Sequence, residues 1–316
     1  MTNATRHPVL CVGLTPALQR TIRFSNLRVE AVNRATAVTT TAAGKAVNVA
    51  RVLRTLDRMV RLTGFLGGST GEAVRTEVEA LGVETHCAVT AAPTRICQTL
   101  INERTGEVTE LVEETPLPQP REWDDFMRRY AALLQGTSLV VLSGTLMPGA
   151  ARDVYHDLVA RAETAGIPVL IDSHGEPLTL ALRAKPWLVK LNAEELEQTC
   201  NAAFNSDESL VSAARALLGE GARAVLITRG EKASVFVQGD AAHTIRPPRI
   251  DPLNPIGSGD SVAAGIVDAH LRGDPLVKAV CFGMACGAAN ALTEWPGHLH
   301  RTDIERIRPE MHVQPL

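Results

Sequence analysis

The feature that most constrains the fold is an alternation of short apolar runs with amphipathic segments. Residues 139–142, 168–172, 187–190 and 224–228 read as strands of four or five residues. The segments between them, at 151–165, 193–200 and 206–219, space their apolar residues as helices do. Strands that are apolar on both sides need cover on both faces, which implies a parallel sheet sandwiched between helices. Earlier runs at 9–14 and 60–66 add two strands, and 234–237 folds back onto 224–228. Helices are predicted at 44–56, 70–81 (closed by Gly82), 122–134, 258–271 and 275–292. In the first of these, Ala46, Val47, Ala50, Leu53 and Leu56 mark a buried side, and Arg51, Arg54 and Asp57 face outward. Ligands of such sheets gather at the carboxyl ends of the strands.

A different pattern interrupts this rhythm. Residues 18–24 and 37–42 alternate polar and apolar, and 94–102 with 107–113 form a hairpin around Arg104-Thr105-Gly106. These four strands are expected to form a separate lid-like sheet, from about 17–42 and 94–113, on an otherwise single domain spanning 1–316.

Bulk properties bound the function. With 45% hydrophobic residues, 21% charged residues and a mean hydropathy of +0.02, the chain has ordinary globular composition. A net charge of −3 advertises neither a nucleic acid nor an anionic membrane partner. No run is long enough to span a bilayer, and 1–7 is not read as an export signal. Six scattered cysteines without a C-x-x-C pair suit reduced thiols in a cytoplasmic protein.

Several strand ends lead into loops with chemistry in them. Asn254-Pro255-Ile256-Gly257-Ser258-Gly259-Asp260-Ser261 opens a helix at about Ser258, and a helix start offers free N–H groups and a positive dipole end to an anion. A carboxylate at Asp260 is favoured there and is expected to stay ionised, placed to take a proton from an attacking hydroxyl. Taken alone, the stretch also reads as a capped turn. Ala42-Ala43-Gly44-Lys45-Ala46-Val47-Asn48 begins another helix; Lys45 suits a substrate phosphate and Asn48 a sugar hydroxyl, or Lys45 is merely solvated.

At Lys190-Leu191-Asn192-Ala193-Glu194-Glu195, the three-residue spacing of Asn192 and Glu195 fits a capping box or a Mg²⁺ shell. Taken by itself, the cap is the better reading. Ser143 in Leu142-Ser143-Gly144-Thr145 can floor a polar ligand, and Thr228-Arg229-Gly230 can lie along phosphates; both also read as plain loops. Asp172-Ser173-His174 has triad-like residue types, but neighbours in sequence rarely form a hydrolytic triad. His298 and His300 lack a third metal ligand.

Taken in order, these motifs resemble the PfkB (ribokinase-like) family of carbohydrate kinases, most closely its 1-phosphofructokinase and tagatose-6-phosphate kinase branch. The similarity rests on 14–19, 42–50, Thr94-Arg95, 142–149, 188–195, 228–230 and 254–261. It implies a doubly wound α/β sheet with helices on both faces and a small β-sheet lid, ATP as donor with Mg²⁺, and a homodimer built through the lids. By the same resemblance Asp260 matches the catalytic base and Gly257, Ser258 and Gly259 the anion hole. Asn192 and Glu195 match the magnesium motif. Lys190, Thr228, Gly230 and Asn290 fall on the nucleotide side, and Gln19, Gly44, Lys45, Asn48, Arg95 and Ser143 on the sugar side. Of only five lysines, Lys45 and Lys190 both fall on motif positions. The chain departs from the pattern at Thr15 and Gln19, where the family has an asparagine and the aspartate that holds sugar hydroxyls. Gln can donate and accept but carries no charge, so it discriminates hydroxyls differently.

The expected activity is transfer of the γ-phosphoryl group of ATP to a hydroxyl of a sugar phosphate. A kinase of an unphosphorylated sugar or nucleoside, and a non-catalytic metabolite-binding protein of the same fold, are the competitors. A dinucleotide-dependent oxidoreductase is disfavoured because no G-x-G-x-x-G follows the first strand.

Overall fold

The structure, a computed structural model, describes residues 7–316; residues 1–6, at the start of the stretch tested for an export signal, lie outside the described part. The chain opens with β1 (Val9–Gly13), β2 (Ala17–Phe24), β3 (Ala37–Ala43) and α1 (Lys45–Thr55). Next come β4 (Val60–Gly67), α2 (Gly68–Ala80), two short strands β5 (Glu84–Thr85) and β6 (Ala88–Thr90), then β7 (Ile96–Asn102) and β8 (Val108–Val112). After α3 (Pro120–Leu134) the strands and helices alternate as β9 (Leu139–Ser143), α4 (Val154–Thr164), β10 (Val169–Asp172), α5 (Gly175–Leu182), β11 (Leu188–Asn192) and α6 (Ala193–Cys200). Helix α7 (Asp207–Glu220) precedes β12 (Val225–Thr228), β13 (Ser234–Gln238) and β14 (Ala241–Arg246). Finally α8 (Ser258–Leu271), α9 (Leu276–Ala291), α10 (Arg301–Ile307) and β15 (His312–Pro315) complete the chain.

The large sheet runs β15-β14-β13-β12-β11-β10-β9-β1-β4-β5, with β6 also on β4. From β12 to β5 its neighbours are parallel, and β13, β14 and β15 extend it antiparallel. Alternate residues of one strand feed two separate cores. Val9 and Cys11 pack with α1, α2, α8 and α9, whereas Leu10 and Val12 pack with α3, α4, α5 and α7. This is the two-faced burial that the apolar runs require. The helix after β1 and the helix after β9 lie on opposite faces although the two strands are neighbours. A crevice therefore opens between their carboxyl ends, where the winding changes direction.

A second sheet has the order β3-β2-β7-β8. Its strand β2 pairs parallel with β7 and antiparallel with β3. Strand β3 ends at Ala43, two residues before α1 begins, so this sheet is rooted beside the crevice.

Helix α6 carries the start signal that the sequence suggested, the capping box of Asn192 and Glu195. Helix α3 starts at Pro120 rather than at 122, and its cap, in which the Gln119 N–H donates to Glu122 Oε2 at 2.7 Å, was not anticipated. Strand β14, the edge strand β15 and helices α5 and α10 were not anticipated. All residues of β15 are exposed, so no buried face imposes an alternation that could be read.

One expectation is overturned. Arg51 does not face outward: it is 5% exposed and makes four hydrogen bonds inside the protein. Helix α1 is covered both by α8 and by the root of the smaller sheet, so its buried arc is wider than one amphipathic stripe.

Candidate active site

The site is assembled from strand ends. Ser143, Asp172, Asn192 and Thr228 are the last residues of β9, β10, β11 and β12, and the starts of α1 and α8 lie beside them.

Helix α8 begins at Gly257, whose φ of 80° is left-handed and whose absent Cβ would meet the backbone N of Gly297 at 2.8 Å. No side chain caps this N-terminus, which leaves amides at the positive end of a 14-residue helix for an anion. At Gly259 a Cβ would lie 3.0 Å from Nζ of Lys190, so the bare backbone lets that ammonium lie directly against the loop. Asn290 holds the loop from behind. Its Oδ1 accepts from Ser261 Oγ (3.1 Å) and the Gly297 N–H (2.8 Å), and its Nδ2 donates to the Ile256 carbonyl (2.9 Å) and Ser258 Oγ (3.4 Å). Fully buried and fully bonded, Asn290 has no polar atom left for a nucleotide; it supports the loop.

Asp260, in the first turn of α8, is 5% exposed and accepts a 2.8 Å hydrogen bond from Nδ2 of Asn48 on α1. Asn48 is therefore committed to Asp260 in this structure. Next to it lies a residue that the sequence offered only as part of an improbable triad. Asp172 is wholly buried and accepts from Lys190 Nζ at 2.9 Å and from Lys45 Nζ at 3.5 Å. Lys45 also donates to Glu195 Oε1 at 3.0 Å. The position of Asp172, last in an apolar strand of a parallel sheet, was a usable signal.

The electrostatics separate the two aspartates. Burial and the nearby Asp172 carboxylate push Asp260 up to about 7, against the Asn48 hydrogen bond and the Lys190 and Lys45 charges. The expectation that Asp260 simply stays ionised is thus corrected: burial and a like charge outweigh the helix dipole. For Asp172, burial alone would raise the pKa, but the ammonium groups of Lys190 and Lys45 hold it below the ordinary carboxylate range. Lys45 is disfavoured as a cation by burial, yet Asp172, Glu195 and Asp260 outweigh this and raise its pKa. The site therefore holds one carboxylate kept ionised and one poised near neutrality, a division found where protons are moved.

Asn192 and Glu195 form the reciprocal cap: Glu195 N–H donates to Asn192 Oδ1 and Asn192 N–H to Glu195 Oε2, each at 2.8 Å. Glu195 Oε1 remains turned toward Lys45 and His174. The oxygens of Asp172 and Glu195, drawn together around one ammonium, suit a hard cation. Among the described residues no three His, Cys, Asp or Glu side chains converge as a metal cluster.

On the other side of the crevice, Ser143 is 1% exposed with a hydroxyl lacking any partner, and it lines a cleft with Gly13, Thr15, Pro16, Gly44 and Lys45. Arg95 donates to the carbonyls of Glu113 and Thr15, both at 2.9 Å, which leaves its buried Nε free. Gln19 donates from Nε2 to Thr99 Oγ1 at 2.8 Å, so its carbonyl oxygen is the open end of the amide. Thr228 bonds weakly to the Leu191 carbonyl, and Gly230 stands in open space after β12.

The chain is 29% identical over 312 residues to a tagatose-6-phosphate kinase of Staphylococcus epidermidis, covering 96% of this chain and 99% of the relative. Phosphofructokinase-2 of Escherichia coli in complex with fructose-6-phosphate superposes with a TM-score of 0.87 at 25% identity, over 96% of this chain and 99% of that one. Ribokinase of Arabidopsis thaliana, complexed with ribose and ATP, shares the fold at a TM-score of 0.76 and 17% identity, over 96% of this chain and 98% of that one. The family model for pfkB carbohydrate kinases matches residues 6–298. With that match spanning the strand ends, the Asp260 loop and the smaller sheet, the chain belongs to the pfkB family of carbohydrate kinases, phosphotransferases whose acceptor is a sugar hydroxyl.

Proposed function

We propose that the protein transfers the γ-phosphoryl group of ATP to a hydroxyl of a sugar phosphate, with Asp260 as the general base. The observation that carries this reading is the placement of a buried, near-neutral carboxylate in the first turn of α8, one residue from a glycine that lies against Lys190. Asp260 takes the proton of the attacking hydroxyl as the new oxygen–phosphorus bond forms and the bond from the γ-phosphorus to the bridging oxygen breaks, releasing ADP. The α8 amides, Gly257 to Gly259 and the Lys190 ammonium stabilise charge on the transferring group. Glu195 and Asn192, with Asp172 beside them, would hold Mg²⁺, which would supply positive charge against the donor phosphates. Thr228 and Gly230 border the nucleotide. Gln19, Gly44, Lys45, Asn48, Arg95 and Ser143 border the sugar, and the relatives named for tagatose-6-phosphate and in complex with fructose-6-phosphate support a sugar phosphate as acceptor. The smaller sheet acts as a lid that excludes water, and two copies pair through their lids.

The test is Asp260→Asn. It should lower kcat by at least ~10² with folding intact, and near-normal turnover would remove Asp260 from the chemistry. A second reading, a kinase of an unphosphorylated sugar, is favoured by one observation: Lys45 is occupied by Glu195 and Asp172, and the Nη atoms of Arg95 by backbone carbonyls. An ATP-consumption screen of sugar phosphates against free sugars separates the two. Activity confined to free sugars would reverse the order.

A further inference from the structure

We propose that Arg51 is a positioning residue for the general base, locking the amide of Asn48 in the orientation that presents N–H to Asp260. This rests on the reading of Asp260 as the base. A carboxamide has a donor end and an acceptor end of nearly equal shape, so its neighbours must choose its orientation. Arg51 has only donors, and its Nη1 lies 3.3 Å from Asn48 Oδ1. With the oxygen held there, Nδ2 points at Asp260 Oδ2, at 2.8 Å.

Without the guanidinium, the amide can turn and present its oxygen to a protonated Asp260, which then becomes the donor. Arg51 thus favours the ionised form of the base through Asn48 and never touches it. Its own position is overdetermined: Glu77 Oε1 and the Ala42 carbonyl accept from Nη2 at 3.0 Å, and the Pro296 carbonyl accepts from Nη1 at 3.3 Å. Glu77 Oε2 also accepts from the Ala42 N–H at 2.6 Å. The root of the smaller sheet is therefore clasped on both its N–H and its carbonyl by the pair that orients Asn48. Burial lowers the pKa of Arg51, and Glu77 offsets this only in part. Asn48 and Arg51 are the two polar residues among the buried Ala, Val and Leu of α1, and a buried cation four times bonded there calls for such a role.

The other groups facing Asp260 are Asp172 of β10, which opposes its ionisation, and Lys190 of β11 and Lys45 of α1, which favour it. None of these bonds to Arg51, so a change in the titration of Asp260 on altering Arg51 reports on Asn48. The titration can be read without any substrate, from the difference in Tm between a chain and its own Asp260→Asn derivative followed from pH 5 to 9. In Arg51→Gln the pH at which that difference levels off, which marks the folded-state pKa of Asp260, should move up by about one pH unit, and in Arg51→Lys, which keeps an all-donor cation, it should stay with the parent. Arg51→Met/Glu77→Gln, which leaves no buried charge unpaired, serves as the second variant if Arg51→Gln does not fold.

An unmoved levelling-off pH beside a lowered Tm would assign Arg51 a purely structural role and overturn the proposal. Failure of the base reading would show separately, as turnover retained by Asp260→Asn.

Discussion

At the scale of single residues, the decisive group is Asp260. Its ordinary carboxylate value of 3.8 is raised to about 7 in the folded protein. As a base it must be deprotonated, so kcat/KM should rise about tenfold per pH unit below that midpoint and level off above it. A pH–rate profile flat from pH 5 to 8 would contradict this. The same shift carries a stability consequence of opposite sign. Between 3.8 and about 7 the folded state binds a proton that the unfolded state has lost, so stability declines as pH rises through that window. Asp260→Asn removes the buried charge, and at pH 8 it should raise Tm by about 2–4 °C while leaving it unchanged near pH 4. Asp172 is the counter-case. It is ionised between two ammonium groups, one of them on Lys190, which is itself 3% exposed. Replacing it by Asn leaves Lys190 without its partner and should cost about 3 kcal/mol in urea unfolding.

At the scale of elements, the start of α8 separates two glycines that look equivalent in the sequence. Gly257 is left-handed, and any Cβ there would press on the backbone of Pro296 and Gly297. Backbone cannot give way, so Gly257→Ala should lose about 2 kcal/mol or more, read as a lower midpoint in denaturant. At Gly259 the atom in the way is the far end of a lysine side chain. Gly259→Ala should leave Tm within about 2 °C of the parent but displace the ammonium, lowering kcat about tenfold. A comparable loss of stability in both variants would show that the two positions do not differ. The end of β11 shows how one motif serves two purposes. The capping box of Asn192 and Glu195 is formed, and Glu195 still turns one oxygen to Lys45.

At the scale of the whole molecule, the smaller sheet is the part with unmet surface. Cross-strand register puts Gln19, Cys97 and Val112 on one face, with Val108 four residues before Val112 on the same face. Val108 and Val112 are 56% and 59% exposed, as apolar side chains at a protein interface are in the separated subunit. If copies pair through this face, Val108→Glu/Val112→Glu should shift the protein from dimer to monomer by light scattering, with unchanged circular dichroism. Because Gln19 shares that face, the variant should also raise KM for the sugar more than KM for ATP. A mass unchanged from the parent would argue against pairing there. None of the described helices is long and apolar enough to cross a membrane.

Much of this was legible before any coordinates. Short apolar strands between amphipathic helices require a parallel sheet with two cores, and the order of loop motifs points to the family. Local patterns specify these features, because burial on both faces and helix starts depend on near neighbours. The sequence by itself determined the alternation of elements, the helix start at Ser258 and the capping box at Asn192. Only the tertiary structure decided what depends on distant residues meeting. Arg51 lies on the face that periodicity turns outward, yet α8 and the smaller sheet cover it. Asp172 is an ordinary strand end until Lys45 and Lys190 close on it from 127 and 18 residues away. The pKa of Asp260 follows from burial and from Asp172, neither of which its own helix contains. Spacing can place a carboxylate in the first turn of a helix, but its charge state belongs to the groups that packing brings beside it.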